Sequence, residues 1–171
     1  LVGSEMCIRD RYYSNTPNPT WDGCLAYCGE NKYPGPASPL NPMSPGVLHK
    51  SMIERIAPYT MTGVIWYQGE SDDHRPGMYY KLLSQMIRNW RDDWNDDELF
   101  FVIGQLPMHR WEADPDFKNW CTIREAQAKT ARTTAGTALA VLTDCGEFSE
   151  IHPKDKKTPA HRFCLAALNG C

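Results

Sequence analysis

The sequence predicts an α/β fold built on a parallel sheet. Three short apolar runs rich in strand-forming residues, at 63–67, 99–103 and 138–142, alternate with longer segments that have helical periodicity. Strands that alternate with helices of this length form βαβ units, in which the helices cover a parallel sheet. The chain has 171 residues, which is enough for one domain with a substantial core.

Each predicted helix repeats apolar residues at intervals of three and four, as expected for a helix with one face on a core. Pro58 ends the first of them, because its ring cannot continue a helix. A loop at 72–77 precedes the second, which has the longest apolar stripe. In chain order the predicted helical segments are 47–57, 79–90, 120–131 and 160–168.

The first 46 residues differ in composition from the rest. Residues 1–11 lack periodicity and resemble a translated sequencing adapter from a metagenomic assembly, so we expect them to be non-native. Residues 12–46 are rich in proline and predict an irregular loop region. The alternating pattern occupies residues 47–171. There is no initiating Met and no tail after the last helical pattern, which predicts a gene fragment.

Charge and cysteine content exclude several classes of partner. The net charge is −3, so no basic surface is predicted for nucleic acid or an anionic membrane. No apolar run in the sequence approaches the roughly 20 residues that span a bilayer. Of the seven cysteines, Cys24 and Cys28 form a CxxxC without a second metal-ligand pair. Free thiols in a reducing compartment are favoured, and a disulfide is the alternative for an exported chain, so localisation stays open between cytoplasmic and secreted.

The candidate site lies where the predicted strands end. In parallel α/β sheets, ligands bind beyond the carboxyl ends of the strands. Three polar segments follow the three strands, at 68–73, 105–110 and 144–152, and we expect them to meet at one edge. Three other histidines stand alone and predict ordinary surface or core positions: His49, His74 and His161.

His152 is the candidate general base, because a neutral imidazole can take a proton from a hydroxyl. Pro153 follows it, and proline is favoured at the first helical position, so we expect His152 at a helix N-terminus. That position disfavours the imidazolium and calls for a carboxylate partner. The candidates are Glu70, Asp144, Glu147 and Glu150. The alternative is a surface histidine beside a helix.

The other two segments offer groups that could bind substrate. Gly69 permits close approach of a ligand, and its N–H could face a developing oxyanion; the alternative is a solvated turn. Ser71 is a weak candidate nucleophile, because Asp73 stands where a nucleophile elbow needs glycine. Arg110, within Met108–Trp111, could contact a sugar or a carboxylate, or could only pack the loop.

Two motifs in these segments are distinctive. The sequence GVIWYQGESD at 63–72, followed about eighty residues later by IHPKDK at 151–156, resembles the sialate O-acetylesterase-like carbohydrate esterases of the SGNH hydrolase superfamily. The similarity runs from about residue 39 to the end. It implies a flavodoxin-like three-layer α/β/α fold, here incomplete at its N-terminal strands. It also implies hydrolysis of O-acetyl esters on sugars, such as sialic acids or xylan, without a metal or organic cofactor.

The resemblance assigns roles to individual residues. His152 matches the catalytic histidine, and Gln68, Gly69 and Glu70 match the block that lines the active site near the oxyanion. Many SGNH enzymes have an Asp three residues before the histidine, where this chain has Ser149. The triad acid therefore stays open between Glu70, Glu150 and Asp144.

The family's serine nucleophile, in a Gly-Gln-Ser-Asn-type block, has no match in the sequence. The resemblance therefore predicts a C-terminal fragment that is inactive by itself and poorly soluble. Three alternatives stay open: a non-catalytic carbohydrate-binding module on the same fold, an acetylxylan esterase, and a peptidase-like or lipase-like SGNH enzyme. No serine lies in such a block; Ser14, Ser38, Ser44 and Ser51, for example, all have other surroundings.

Overall fold

A computed structural model of the chain describes residues 49–73, 75–109 and 118–170. The described strands are β1 (Gly63–Trp66), β2 (Phe100–Gly104) and β3 (Thr137–Ala140). They pair in parallel in the order β1-β2-β3, so β2 is central. The predicted parallel sheet is confirmed, with each strand within two residues of its expected ends.

Helices cover both faces of this sheet and give three layers. Two long helices, α2 and α3, pack together on one face, and α4 packs on β2 and β3 from the other. The described helices are α1 (Glu54–Ile56), α2 (Pro76–Trp94), α3 (Lys118–Thr133) and α4 (Lys157–Gly170). A π-helical turn at His49–Ile53 leads into α1, and a 3-10 turn at Glu70–Asp72 follows β1. The α/β fold class predicted from the sequence is confirmed.

The larger core lies between the sheet and the helices α2 and α3. Every apolar residue that the sequence placed on the inner face of α2 is buried there: Tyr79, Leu82, Leu83, Met86, Ile87 and Trp90. The Trp90 ring packs edge-on to Trp66 of β1 at 5.9 Å between centroids and reaches Phe101 of β2 at 6.1 Å. The aromatic rings thereby hold α2 to two adjacent strands.

A smaller core lies under α4. Phe163 packs there against Val102 and Ala140, and its ring lies 5.6 Å from that of Tyr67. The predicted inner face of α4 was wrong in part, because Leu168 is 71% exposed and Cys164 and Ala160 are exposed too. The helix instead turns Pro159 and Phe163 inward, four residues apart, since these are the side chains above β2 and β3.

Two other expectations need correction. The apolar run at 63–67 predicts a buried strand, but β1 buries only Val64 and Trp66, and Ile65 is 49% exposed. The reason is that α4 reaches β2 and β3 but, within the described residues, does not cover β1. The first predicted helix begins as the π-helical turn, and Met52 on its expected inner face is 50% exposed.

Other predictions fall on residues outside the described ranges. These are the adapter-like segment 1–11, the irregular region 12–46, Cys24, Cys28 and His74. Across the described ranges, no helix has the length and apolar character needed to cross a membrane.

Two leucines give a matched test of this packing. Leu83 of α2 is fully buried, whereas Leu168 of α4 is 71% exposed. We expect Leu83→Ala to lower the free energy of unfolding by about 2–5 kcal/mol, through lost burial and a cavity. Leu168→Ala should change it by less than about 0.5 kcal/mol. Urea unfolding followed by circular dichroism measures both, and equal losses would contradict the assignment of the core.

Candidate active site

The parallel pairing brings the segments after the three strands to one edge, as predicted. The segment after β2 is hydrogen-bonded to β3 and its following residues, through Gln105 N–H to the Ala140 carbonyl (2.9 Å) and Met108 N–H to the Thr143 carbonyl (3.2 Å). Gly146 lies so close to Met108 that a Cβ on it would fall 2.0 Å from the Met108 carbonyl oxygen. Only glycine therefore fits where these two segments touch.

The segment after β1 turns sharply at Gly69, whose φ is +146°. This backbone conformation is strained for any residue with a Cβ. The same turn directs the Gln68 carbonyl into the protein, where the Tyr79 hydroxyl (2.7 Å) and Gln127 Nε2 (3.0 Å) both donate to it. The end of β1 is thus held from inside the fold rather than by solvent.

The Gln68 side chain is also turned inward. Its Nε2 donates to Oδ2 of Asp72 at 2.8 Å, and the guanidinium of Arg75 meets the other carboxylate oxygen at 3.4 Å. All three side chains are buried, so the Asp72 charge is balanced within the protein. In this arrangement the Gln68 side chain shapes the turn, and its amide is occupied by Asp72.

Helix α3 fixes the segment after β2 through side chains that the sequence analysis missed. Gln127 Oε1 accepts the Leu106 N–H (2.9 Å), and the Arg124 guanidinium donates to the carbonyls of Leu106 (2.9 Å) and Pro107 (2.7 Å). Trp120 Nε1 donates to the Pro107 carbonyl as well, at 2.8 Å. The sequence does contain a signal for Gln127: this glutamine follows Ala126, at a position where the helical period predicts a core residue.

Asp144, one of the candidate acids, is engaged elsewhere. Both of its carboxylate oxygens accept hydrogen bonds from Arg162 of α4. The hydrogen bond from Arg162 lowers the pKa of Asp144 to about 2. This carboxylate therefore ties the segment after β3 to α4 and does not contact His152. Glu147 accepts the Lys154 N–H at 3.0 Å and so supports the loop that carries His152.

His152 projects from that loop, and its side chain is 87% exposed. On either side of it, Ile151 packs against the larger core and Pro153 is buried, so the backbone is anchored while the imidazole faces outward. The expected helix N-terminus at Pro153 was wrong. Helix α4 begins at Lys157, because Asp155 accepts the N–H groups of Lys157 (2.9 Å) and Thr158 (3.1 Å) as an N-cap.

Two of the candidate acids interact with His152, Glu150 by direct contact and Glu70 through its charge. Glu150 Oε1 lies 3.3 Å from Nδ1 of His152 and accepts the backbone N–H of the same residue at 2.9 Å. That backbone hydrogen bond lowers the pKa of Glu150, which is otherwise solvated. The carboxylate is therefore ionised at neutral pH, and it lies beside the ring nitrogen that would carry the imidazolium charge.

Glu70 is the second acid, and it is mostly buried. Burial raises the pKa of its carboxyl, and the nearby Asp72 charge raises it further. Hydrogen bonds from the backbone N–H groups of Glu70 and Gly69, together with the charge of His152, act in the opposite direction. Burial, followed by the charge of Glu70, also raises the pKa of the Tyr67 hydroxyl to about 12. A buried carboxylate at this edge is thus electrostatically coupled to His152.

The structure says less about the two remaining predicted residues, Ser71 and Arg110. Ser71 is exposed in the 3-10 turn after Gly69, and Arg110 lies outside the described residues. Over the part of the chain that the structure describes, no three His, Cys, Asp or Glu side chains cluster as metal ligands would.

An exposed histidine with two acids at the carboxyl edge of a parallel α/β sheet is an arrangement suited to hydrolytic acid–base chemistry. Residues 40–152 match the family of carbohydrate esterases described as sialic acid-specific acetylesterase, and the chain belongs to that family. The match covers the whole first motif at 63–72 and ends at His152, the second residue of the second motif.

Individual relatives agree with this assignment. The chain is 27% identical over 180 residues to the sialate O-acetylesterase of Homo sapiens, covering 91% of this chain and 34% of that protein. It is 29% identical over 147 residues to the enzyme of that name from Mus musculus, covering 74% and 26%. The chain thus spans about a third of the length of the curated relatives it matches.

A solved structure shares the fold. The crystal structure of a carbohydrate acetylesterase from Xanthomonas citri superposes with a TM-score of 0.69 at 36% sequence identity. The superposition covers 74% of this chain and 29% of the Xanthomonas chain.

The turn at Gly69 can be tested with a pair of glycines. At Gly69 a Cβ would lie 3.1–3.2 Å from Ile123, Gln127 and Leu106 at a positive φ, whereas at Gly77 in α2 nothing lies within 4 Å. We expect Gly69→Ala to destabilise the protein by about 1–3 kcal/mol. Gly77→Ala should be neutral or stabilising by up to about 1 kcal/mol. Thermal unfolding of both variants checks this, and a Gly69→Ala protein as stable as the parent would refute the described turn.

Proposed function

We propose that the protein hydrolyses O-acetyl esters on carbohydrates, with O-acetylated sialic acid as the first substrate to test. The observation that carries the proposal is the exposed His152, in contact with Glu150 and under the charge of Glu70, at the carboxyl edge of the sheet. The printed names of the relatives, sialate O-acetylesterase and carbohydrate acetylesterase, support the choice of ester and sugar.

In this reaction His152 acts as base and then as acid. Its imidazole takes the proton of the attacking hydroxyl as that oxygen bonds to the acetyl carbon, and later returns a proton to the departing sugar oxygen. Among the described residues no serine hydroxyl contacts His152, so the proposal requires a serine from sequence outside them. Water then attacks the acetyl-enzyme, with His152 again as base, and releases acetate.

The two acids have different proposed parts. Glu150 contacts Nδ1 and so orients the ring, leaving Nε2 toward the reacting groups. Glu70 supplies a negative charge that is poorly screened because it is buried, and this charge stabilises the imidazolium formed in the transition state. We therefore expect Glu70 to contribute more to the rate than Glu150.

The remaining assignments concern the oxyanion and the substrate. The Gly69 N–H, which we expect to face the oxyanion, lowers the pKa of the adjacent Glu70 carboxyl and so already favours a negative charge. Ser71 lies exposed at the same turn, where it is proposed to contact the sugar, and Arg110 stays a predicted sugar contact.

Replacing His152 tests the proposed base. We expect His152→Ala, made in the protein expressed from its complete reading frame, to lower kcat for acetate release by at least about 100-fold, because general acid–base assistance is lost. His161→Ala in α4 is the matched control and should retain the parent activity. Full activity of the His152 variant would refute the proposal. Sugar binding without hydrolysis in the parent would favour a carbohydrate-binding module, and faster release from acetylated xylan than from sialate would change the substrate.

Glu70 and Glu150 predict different pH behaviour. Since burial raises the pKa of Glu70, the rate should fall on acidification at a higher pH than the ordinary titration of a glutamate. Glu70→Gln should remove that part of the pH–rate profile and lower kcat by about tenfold or more. Glu150→Gln should cost less than about fivefold, because its carboxylate is exposed.

Glu70→Gln is expected to change stability in the opposite direction to activity: the rate falls, and the stability at neutral pH rises. A carboxyl whose pKa is raised by folding stabilises the folded state most at low pH, and this contribution is lost as pH rises through the folded pKa. At neutral pH Glu70→Gln removes a buried charge, so its melting temperature should exceed that of the parent. A less stable and fully active Glu70→Gln protein would contradict both statements.

A further inference from the structure

We propose that Gln127 is a positioning residue of this site: its single amide joins the Gln68–Gly69 peptide to the segment after β2, and thereby positions the turn that carries Glu70. The inference rests on the proposed function for its catalytic consequence. The structural part of the proposal depends only on the hydrogen bonds of Gln127.

The first step is the geometry of the amide. Gln127 in α3 has no solvent exposure, and both ends of its side chain bond to backbone groups outside its own helix. Oε1 accepts the Leu106 N–H at 2.9 Å, and Nε2 donates to the Gln68 carbonyl at 3.0 Å. The orientation of the amide is fixed by these partners, because a flipped side chain would set donor against donor and acceptor against acceptor.

The second step follows from the peptide plane. In a trans peptide the N–H and C=O point in opposite directions. Because Gln127 and the Tyr79 hydroxyl hold the Gln68 carbonyl inward, the Gly69 N–H on the same peptide is directed away from α3. Glu70 follows Gly69 at the start of the 3-10 turn. The backbone that carries the Glu70 carboxylate is therefore held by a peptide whose orientation Gln127 and Tyr79 set.

The third step is the coupling of two segments. Gln68 ends β1 and Leu106 follows β2, so one buried side chain spans the edge at which the site lies. A Cβ at Gly69 would lie 3.2 Å from Nε2 of Gln127, which leaves no free space between the amide and the turn. Loss of the amide would leave the buried Leu106 N–H unsatisfied and the Gln68 carbonyl held by the Tyr79 hydroxyl alone, so the peptide would be held less firmly.

The test compares Gln127→Met with Gln85→Met, a matched substitution at an exposed position of α2 whose amide bonds only Asn89. Both are made in the protein expressed from its complete reading frame. Methionine keeps the length of the side chain and removes both hydrogen bonds. The readouts are the titration of the Glu70 carboxyl, followed by carbon-detected NMR, and kcat and KM for acetate release from an O-acetylated sialic acid.

We expect Gln127→Met to shift the titration of Glu70, because the peptide before this residue loses one of its two internal hydrogen bonds, and to lower kcat by roughly 10- to 100-fold with KM little changed. Gln85→Met should alter neither quantity. A folded Gln127→Met protein with unchanged Glu70 titration and kcat, or one in which only stability falls, would overturn the proposal.

A second variant keeps the test decisive if Gln127→Met does not fold. In Gln127→Glu, a protonated side chain can still donate to the Gln68 carbonyl and accept from Leu106, whereas an ionised one cannot donate. We expect Glu70 to titrate as in the parent at pH values where the introduced glutamate is protonated, and to titrate differently where the introduced glutamate is ionised. A Glu70 titration without this change would overturn the proposal. If the parent releases no acetate, the proposed function fails, and the Glu70 titration still decides the role of Gln127.

Discussion

The fold and the site meet at one carbonyl, that of Gln68 at the end of β1. A glycine with φ of +146° follows it, so the carbonyl turns inward and is satisfied by Tyr79 from α2 and Gln127 from α3. Burying a backbone carbonyl without a partner would cost free energy comparable to a lost hydrogen bond. The two helices that build the larger core therefore also fix the backbone from which Glu70 projects.

The charged side chains at this edge of the sheet fall into two groups. Some form ion pairs that hold the structure, and others are available for chemistry. Asp72 and Arg75 are buried and meet each other, and Asp144 is bound by Arg162. Glu70 is partly buried without a basic side chain in direct contact within the described residues, and backbone N–H groups and the charge of His152 favour its ionised form. A buried carboxyl with a raised pKa beside an exposed histidine is the pattern that acid–base sites show and that a purely structural ion pair does not require.

Much of this could be predicted from the sequence, because the signals are local. The strands follow from short apolar runs and the α2 face from its period, and the topology of a parallel sheet then places Glu70 and His152 at one edge. Where two local signals competed, the prediction failed: Pro153 suggested a helix start, but Asp155 caps the helix at Lys157. Contacts between distant segments, such as Gln127 with Gln68 and Asp144 with Arg162, depend on tertiary geometry that periodicity does not contain.

The central claim is that the carboxyl edge around Gly69, Glu70 and His152 is where the acetylated sugar binds. Two-dimensional NMR of the protein, titrated with a sialic acid whose O-acetyl ester is replaced by a non-hydrolysable amide, tests this most directly. The claim predicts that the Gly69 amide and the His152 ring resonances shift first and saturate together. Shifts confined to the exposed face of α4, at Leu165 and Leu168, with Gly69 and His152 unchanged, would contradict it.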